Sequence, residues 1–279
     1  MKENGNEALW LDVEKILADK SPALAQRVPG FIVRYLKRIL HQDELNQLIA
    51  MHGHLRDREF VAASLKCLGT SYRVAGKENL PEKGRFIFAS NHPLGGLDGM
   101  VFIDELLKHY DSVRFPVNDI LMNVESLKGI FLPVNKHGGQ PRETARLLDE
   151  AYASDTQILY FPAGYCSRKR RGVISDLKWH KSFIKKAIHY KRDIIPAYFS
   201  GKNSNFFYNL SALRRTLGIK ANLEMLYLVD EMYLQSSKKI TLVFGEPIPW
   251  SFFDKSKSAD DWAGYVRNKS YALAERAEI

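Results

Sequence analysis

The stretch that decides the reading is Arg85-Phe-Ile-Phe-Ala-Ser-Asn-His-Pro-Leu-Gly-Gly-Leu-Asp-Gly99. Phe86 to Ser90 is a short apolar run, the form of a strand buried on both faces. Pro93 stops the ladder, Gly95 and Gly96 permit tight turning, and Asp98 falls where a helix starts. His92 therefore stands at the carboxyl end of a buried strand, and Asp98 returns towards it after a compact loop. An Asp at a helix start is often only an N-cap. Beside His92 it has a second use: a carboxylate on one ring nitrogen fixes the tautomer and stabilises the imidazolium, as a general base requires. The sequence fixes no serine or cysteine beside this pair, although Ser90 is close. A nucleophile supplied by a substrate therefore fits better than a covalent enzyme intermediate.

Outward from this stretch, β-type runs at 71–74, 85–90, 113–117, 131–134, 157–161, 194–199 and 239–244 alternate with helical patterns at 99–108, 142–153, 178–190 and 260–275. Such alternation predicts an α/β fold, a mainly parallel sheet flanked by helices. Chemistry in such sheets collects at the carboxyl ends of the strands. Residues 1–68 read instead as a helical N-terminal extension, with helices at 9–18, 30–40 and 43–65, and residues 69–279 as the main domain. Within 30–40, Phe31, Tyr35, Leu36 and Ile39 share one side and Arg34, Lys37 and Arg38 another. That is the layout of a helix resting in a lipid headgroup layer, and equally of a packed helix with a solvated basic edge.

The excess of 41 Lys+Arg over 32 Asp+Glu, a net +9, points to an anionic partner without choosing among membrane, acidic protein and nucleic acid. The cations follow no recognisable nucleic-acid reading motif, so nucleic acid is not expected. Cys67 and Cys166 form no metal spacing or disulfide framework, and a reducing compartment fits them. The polar start Met-Lys-Glu-Asn-Gly-Asn-Glu lacks a signal layout, and no run reaches the roughly 20 apolar residues of a membrane span. The expected location is cytoplasmic, on the inner face of the cytoplasmic membrane. His52 and His54 have no ligand cluster around them, so no metal is expected. Phosphate-loop motifs are missing too, so no nucleotide cofactor is expected.

A second constellation is Gln157-Ile-Leu-Tyr-Phe-Pro-Ala-Gly-Tyr-Cys-Ser-Arg168. Pro162 ends an apolar strand, Gly164 allows close backbone approach, and the run Ser167 to Arg171 follows. Arg168 has the fork that pairs with a carboxylate or phosphate, while Lys169, Arg170 and Arg171 read as a solvated basic loop. His180 reads as structural. Phe206-Phe207-Tyr208 is a candidate acyl-channel lining or lipid contact, with core packing an equal contender.

The Asn-His-then-Asp signature at a strand-to-helix junction resembles that of the glycerolipid acyltransferases, which acylate lysophosphatidic acid. Those enzymes usually have four residues between His and Asp; here there are five. Asn-His-Pro-Leu-Gly-Gly-Leu-Asp-Gly is similar to the ornithine-lipid-type subgroup, also called hemolysin-type. The resemblance spans about residues 70–250. The segment Gly129-Ile-Phe-Leu-Pro-Val-Asn-Lys136 occupies the place of the family's second motif without its arginine, and the segment from Ile195 to Tyr208 resembles the fourth. In Phe-Pro-Glu-Gly-Thr-Arg-Ser, the family's third motif, the glutamate helps hold a glycerol phosphate. Ala163 replaces it here, which implies a changed acceptor.

The resemblance implies an O-acyltransferase with His92 and Asp98 as catalytic residues. Asn91, Gly95, Gly96, Pro162, Gly164, Ser167 and Arg168 are the candidate substrate-binding residues, with the Gly95-Gly96 amides as a candidate oxyanion hole. The co-substrate would be an acyl thioester of acyl carrier protein or coenzyme A, with no resident cofactor. The acceptor would be a lyso-lipid: a lyso-aminolipid, an N-(3-hydroxyacyl) amino acid, or else lysophosphatidic acid. A non-catalytic membrane-binding protein is the rival of a different class.

Overall fold

The apolar runs become strands at the places expected. The computed structural model describes residues 10–134, 142–236 and 238–277. Its strands are β1 (Tyr72–Ala75), β2 (Phe86–Ser90), β3 (Val113–Val117), β4 (Phe131–Pro133), β5 (Gln157–Tyr160), β6 (Arg168–Arg170), β7 (Val173–Ser175), β8 (Asp193–Phe199) and β9 (Ile240–Phe244). Seven of them form one sheet in the order β1-β9-β8-β2-β5-β3-β4, and β6 and β7 pair separately. Every pairing in the large sheet is parallel except β8 with β9. The expected α/β class, a mainly parallel sheet flanked by helices, is the class observed.

The helices are α1 (Val13–Lys20), α2 (Pro22–Ala25), α3 (Gly30–Ile39), α4 (Gln42–His52), α5 (Asp57–Cys67), α6 (Gly96–Leu106), α7 (Arg142–Ala153), α8 (Ser182–Tyr190), α9 (Asn205–Thr216), α10 (Leu228–Tyr233), α11 (Ala259–Ala272) and α12 (Ala274–Ala277). They cover both faces of the sheet, and the period-2 alternation of β2 shows how. Phe86 and Phe88 point into a core shared with Val61 and Leu65 of α5 and Val101 and Phe102 of α6. Ile87 and Ala89 point into the opposite core with Phe183 and Ile184 of α8 and Trp262 and Val266 of α11. With both faces covered, β2 is buried along its whole length. Each large apolar side chain buried there contributes about 1.5–3 kcal/mol.

Because β8, β2 and β5 are adjacent and mutually parallel, their carboxyl ends deliver three loops to one edge of the sheet. These are residues 91–95, 161–167 and 200–204. The N-terminal helices reach the same core, since Leu48, Phe60, Val61, Leu65 and Leu68 pack with the sheet residues.

Several expected boundaries are corrected. The helix expected over 43–65 is two helices broken at Gly53, where an added Cβ would lie 2.5 Å from the Ile49 carbonyl oxygen. The helix expected from residue 99 starts at Gly96, because Gly95 supplies a positive φ at its cap and Asp98 accepts from the loop amides. The helix expected from 178 starts at Ser182, and the one expected over 260–275 is divided into α11 and α12. The basic run after Ser167 is not a loop: Arg168–Arg170 is a strand. It turns at Arg171 and Gly172, both at positive φ, as a two-residue hairpin requires. Phe206, Phe207 and Tyr208 lie on a helix, α9, whose Ser204 cap accepts from the Phe207 amide. Lys136 and Leu9, the first residue of the helix expected over 9–18, lie outside the described residues, and that helix starts at Val13.

Candidate active site

His92 leaves β2 with its backbone gripped from two sides. Its amide donates to Asp176 Oδ1 at 3.2 Å, and its carbonyl accepts from the Ser167 amide at 2.7 Å. Asp176 also accepts from Ser167 Oγ at 2.6 Å and from Trp179 Nε1 at 2.9 Å. One buried carboxylate thus ties the His92 loop to the loop after β5. Sequence reading passed over Asp176, although Asp followed three residues later by a buried Trp was a visible signal. The His92 ring stacks on Phe161, with centroids 4.2 Å apart and planes at 16°.

His92 Nδ1 lies 2.8 Å from Asp98 Oδ2. The Asp98 carboxylate, fully buried, also accepts from the Leu94 amide at 3.0 Å and the Gly95 amide at 3.3 Å. Asp98 is not the N-cap, which is Gly95, but the third residue of α6, whose carboxylate accepts from the cap amide and faces the ring at once. The helix turn holds the carboxylate, and the carboxylate holds the ring. Only 17% of the His92 side chain is exposed.

The structure adds a sulfur that the sequence did not place there. Cys166, buried after β5, lies close enough to the His92 side chain to act on its charge. Its Sγ would lie 3.3 Å from a Cβ added at Gly95, and the Leu228 methyls of α10 would lie 3.2 and 3.3 Å from it. Burial alone would depress the basicity of His92, but the Cys166 sulfur and the Asp98 carboxylate outweigh it. The ring is pushed up to about 10.

The remaining candidates divide by what they touch. Asn91 bridges to β8, donating to the Phe199 carbonyl at 2.9 Å and accepting from the Phe199 amide at 2.7 Å. Its side chain thereby fixes the His92 loop to the neighbouring strand. Gly95 takes φ +85 as the cap of α6, and Gly96 lies beneath the Met232 sulfur. The Pro162 carbonyl accepts from the His180 amide; the His180 side chain is exposed, as a structural role allows. Gly164, at φ +67, has open space where a Cβ would stand. Ser167 is occupied with Asp176.

Arg168 is buried and points into the body of the protein. It donates to the Cys166 carbonyl at 2.9 Å and to Glu224 at 3.2 Å, and its guanidinium lies over the Phe207 ring. Arg214 grips the same carboxylate through two donors. Burial works against the charge on Glu224, but these two guanidiniums hold it below the ordinary carboxylate range. Arg168 thus anchors α9 and the segment before α10 over the site.

A tautomer-fixed His on an Asp at the carboxyl edge of a parallel sheet, beside a thiol and a helix N-terminus, is equipped to move an acyl group. Residues 15–278 match the family model described as Acyltransferase. The chain belongs to this acyltransferase family. The acyltransferase is 46% identical, over 270 residues, to the lyso-glycine lipid O-acyltransferase of Bacteroides thetaiotaomicron, covering 96% of this chain and 99% of the relative. It is 45% identical, over 273 residues, to the lyso-glycine lipid O-acyltransferase of Phocaeicola vulgatus, covering 98% of each. Among solved structures, the 1-acyl-sn-glycerophosphate (LPA) acyltransferase PlsC of Thermotoga maritima matches at a TM-score of 0.43 and 16% identity. That match covers 88% of this chain and 92% of that one.

Proposed function

We propose that this acyltransferase transfers a fatty-acyl group from a thioester to the hydroxyl of a lyso-glycine lipid, or of a closely similar lyso-aminolipid. The observation that carries the reading is the near-full-length likeness to two lyso-glycine lipid O-acyltransferases. The His92–Asp98 pair supplies the chemistry: the ring takes the hydroxyl proton as the oxygen attacks the acyl carbonyl, and Asp98 steadies the imidazolium. Ala163, where a glutamate would help hold a glycerol phosphate, and the internal pairing of Arg168 both favour an aminolipid acceptor over lysophosphatidic acid.

The donor proposed is acyl-coenzyme A or acyl carrier protein; a +9 chain suits the second, which is acidic. The working surface proposed is an anionic membrane. No helix among the described residues is long and apolar enough to cross one. Phe31, Ile32 and Tyr35 of α3 are exposed, as are Phe206, Leu213, Leu217, Ile219, Leu223 and Leu226 along α9 and the segment after it. Tyr35 and Tyr227 join the two sets through their hydroxyls at 2.7 Å. Arg34, Arg38 and Arg215 lie among them. Exposed apolar residues fringed by cations are what a peripheral membrane contact needs.

Lipid mass spectrometry on a heterologous host tests the reading. Cells supplied with lyso-glycine lipid should gain the O-acylated product with the wild-type chain and not with His92→Ala. Extra phosphatidic acid in place of that product would move the assignment to the glycerolipid acceptor. No new lipid from either acceptor would favour a non-catalytic membrane-binding protein.

A further inference from the structure

We propose that the Asn203 side chain recognises the acceptor's amide group and so selects an N-acyl amino acid over a glycerol phosphate. The inference rests on the acyl-transfer reading above and names the residue that reads the acceptor. Its basis is an unpaired carboxamide in the loop after β8. Asn203 is 3% exposed, and neither Oδ1 nor Nδ2 has a hydrogen-bond partner in the protein. Among the described residues it is the one buried side chain with both of its polar atoms left so. Buried polar groups are nearly always paired, and one left over calls for a partner from outside the chain.

The side chain is unpaired although its backbone is fixed. The Asn203 amide donates to Tyr208 Oη of α9 at 3.2 Å, and the Ser204 amide donates to Glu231 of α10 at 2.7 Å. On its other side the loop meets the one that carries His92. Asn91 holds Phe199 through two hydrogen bonds, and a Cβ added at Gly201 would lie 3.2 Å from a methyl of Leu94. The helix α10 closes over both loops, with Leu228 against Gly95 and Met232 against Gly96. Just after it, Gln235 donates to the Lys202 carbonyl at 3.4 Å and leaves Oε1 unpartnered. Unmet polar atoms thus gather at one seam, between α10 and the loop after β8, beside the catalytic loop.

A carboxamide matches a secondary amide in both directions: Oδ1 accepts the N–H, and Nδ2 donates to the carbonyl. In an N-(3-hydroxyacyl) amino acid the reacting hydroxyl is β to that carbonyl. The group that recognises the amide therefore belongs on a loop adjoining that of His92. A glycerol phosphate has no N–H to offer, so Oδ1 would stay buried without a donor. A site built to hydrogen-bond one group rejects the analogue that lacks it.

The experiment compares two acceptors on the purified full chain with one thioester donor. One is N-(3-hydroxypalmitoyl)glycine; the other is the 3-hydroxypalmitoyl ester of glycolic acid, in which oxygen replaces the amide N–H. Wild type should favour the amide in kcat/KM by about 10- to 100-fold. Asn203→Leu, close in shape and without polar atoms, should bring that preference to within about threefold of unity and melt no lower than wild type. Asn203→Asp keeps the shape and the acceptor oxygen but loses the donor, and should cut the preference at least about threefold. The preference is a ratio taken on one preparation, so a partly folded variant does not alter it. A wild-type preference that survives both substitutions overturns the proposal, as does a wild type that uses the two acceptors equally. A wild type that acylates neither acceptor overturns the functional reading and this one with it.

Discussion

The edge of the sheet and the helical cover above it are built on opposite terms. The edge comprises β2, β5 and β8 with their loops. It is buried, parallel and cross-tied by Asn91, Asp98 and Asp176, each with two or more partners. The cover comprises α9, α10 and the residues between them. It is held by the charged knot Arg168–Glu224–Arg214, by Glu231 accepting from the Ser204 amide and by Asp230 on His41, and leaves Leu213, Leu217, Ile219 and Leu226 in solvent. The first arrangement suits chemistry that needs fixed atoms, the second a surface that meets lipid and lets a chain enter.

That contrast can be broken by mutation. The largest effect is expected at the ring's carboxylate. Asp98→Asn should lower kcat by about 10³ to 10⁴ by releasing the tautomer, with KM little changed in steady-state assays. A similar KM rise with unchanged kcat would move Asp98 from chemistry to binding. Next is pH. A route that begins with a neutral ring gains tenfold per pH unit up to about 10, because only the deprotonated fraction works. Since His92 must be neutral to take the hydroxyl proton, kcat/KM should rise about tenfold per pH unit between about pH 7 and 9, and a flat profile over that range would contradict His92 as the base.

Asp176→Asn comes third. An amide turned to satisfy His92 and Ser167 presents N–H to the Trp179 N–H. The expected loss is about 1–3 kcal/mol, read as a lower denaturation midpoint, and an unchanged midpoint would show that the tie is dispensable. The smallest effect belongs to the cover. Leu213→Ser with Leu217→Ser should weaken sedimentation with anionic vesicles several-fold and leave turnover in detergent micelles unaltered. Equal vesicle binding would remove this surface from the membrane contact.

The edge was legible in the sequence and the cover was not, for physical reasons. Phe86 to Ser90 announces a strand because burial on both faces demands an unbroken apolar run, and the residues after it name their own turn and helix start. Nothing local tells that Cys166 lies beside His92. Their proximity depends on β2 and β5 being neighbours, which is a matter of strand order. Arg168 resembled a free cation because its partner, Glu224, lies on an element that the aromatic run of α9 disguised. The cations of β6 concealed its alternation, although Arg171-Gly172 marked the turn. The Ser204 cap before α9 was likewise a signal available to be read.

The most direct test of the account is the initial rate of lyso-glycine lipid O-acylation by the purified chain. Wild type and His92→Ala would be compared at matched far-UV circular dichroism and thermal midpoint. The account predicts a loss of about 10² to 10⁴ in the variant. An unreduced rate in a folded His92→Ala chain would contradict it.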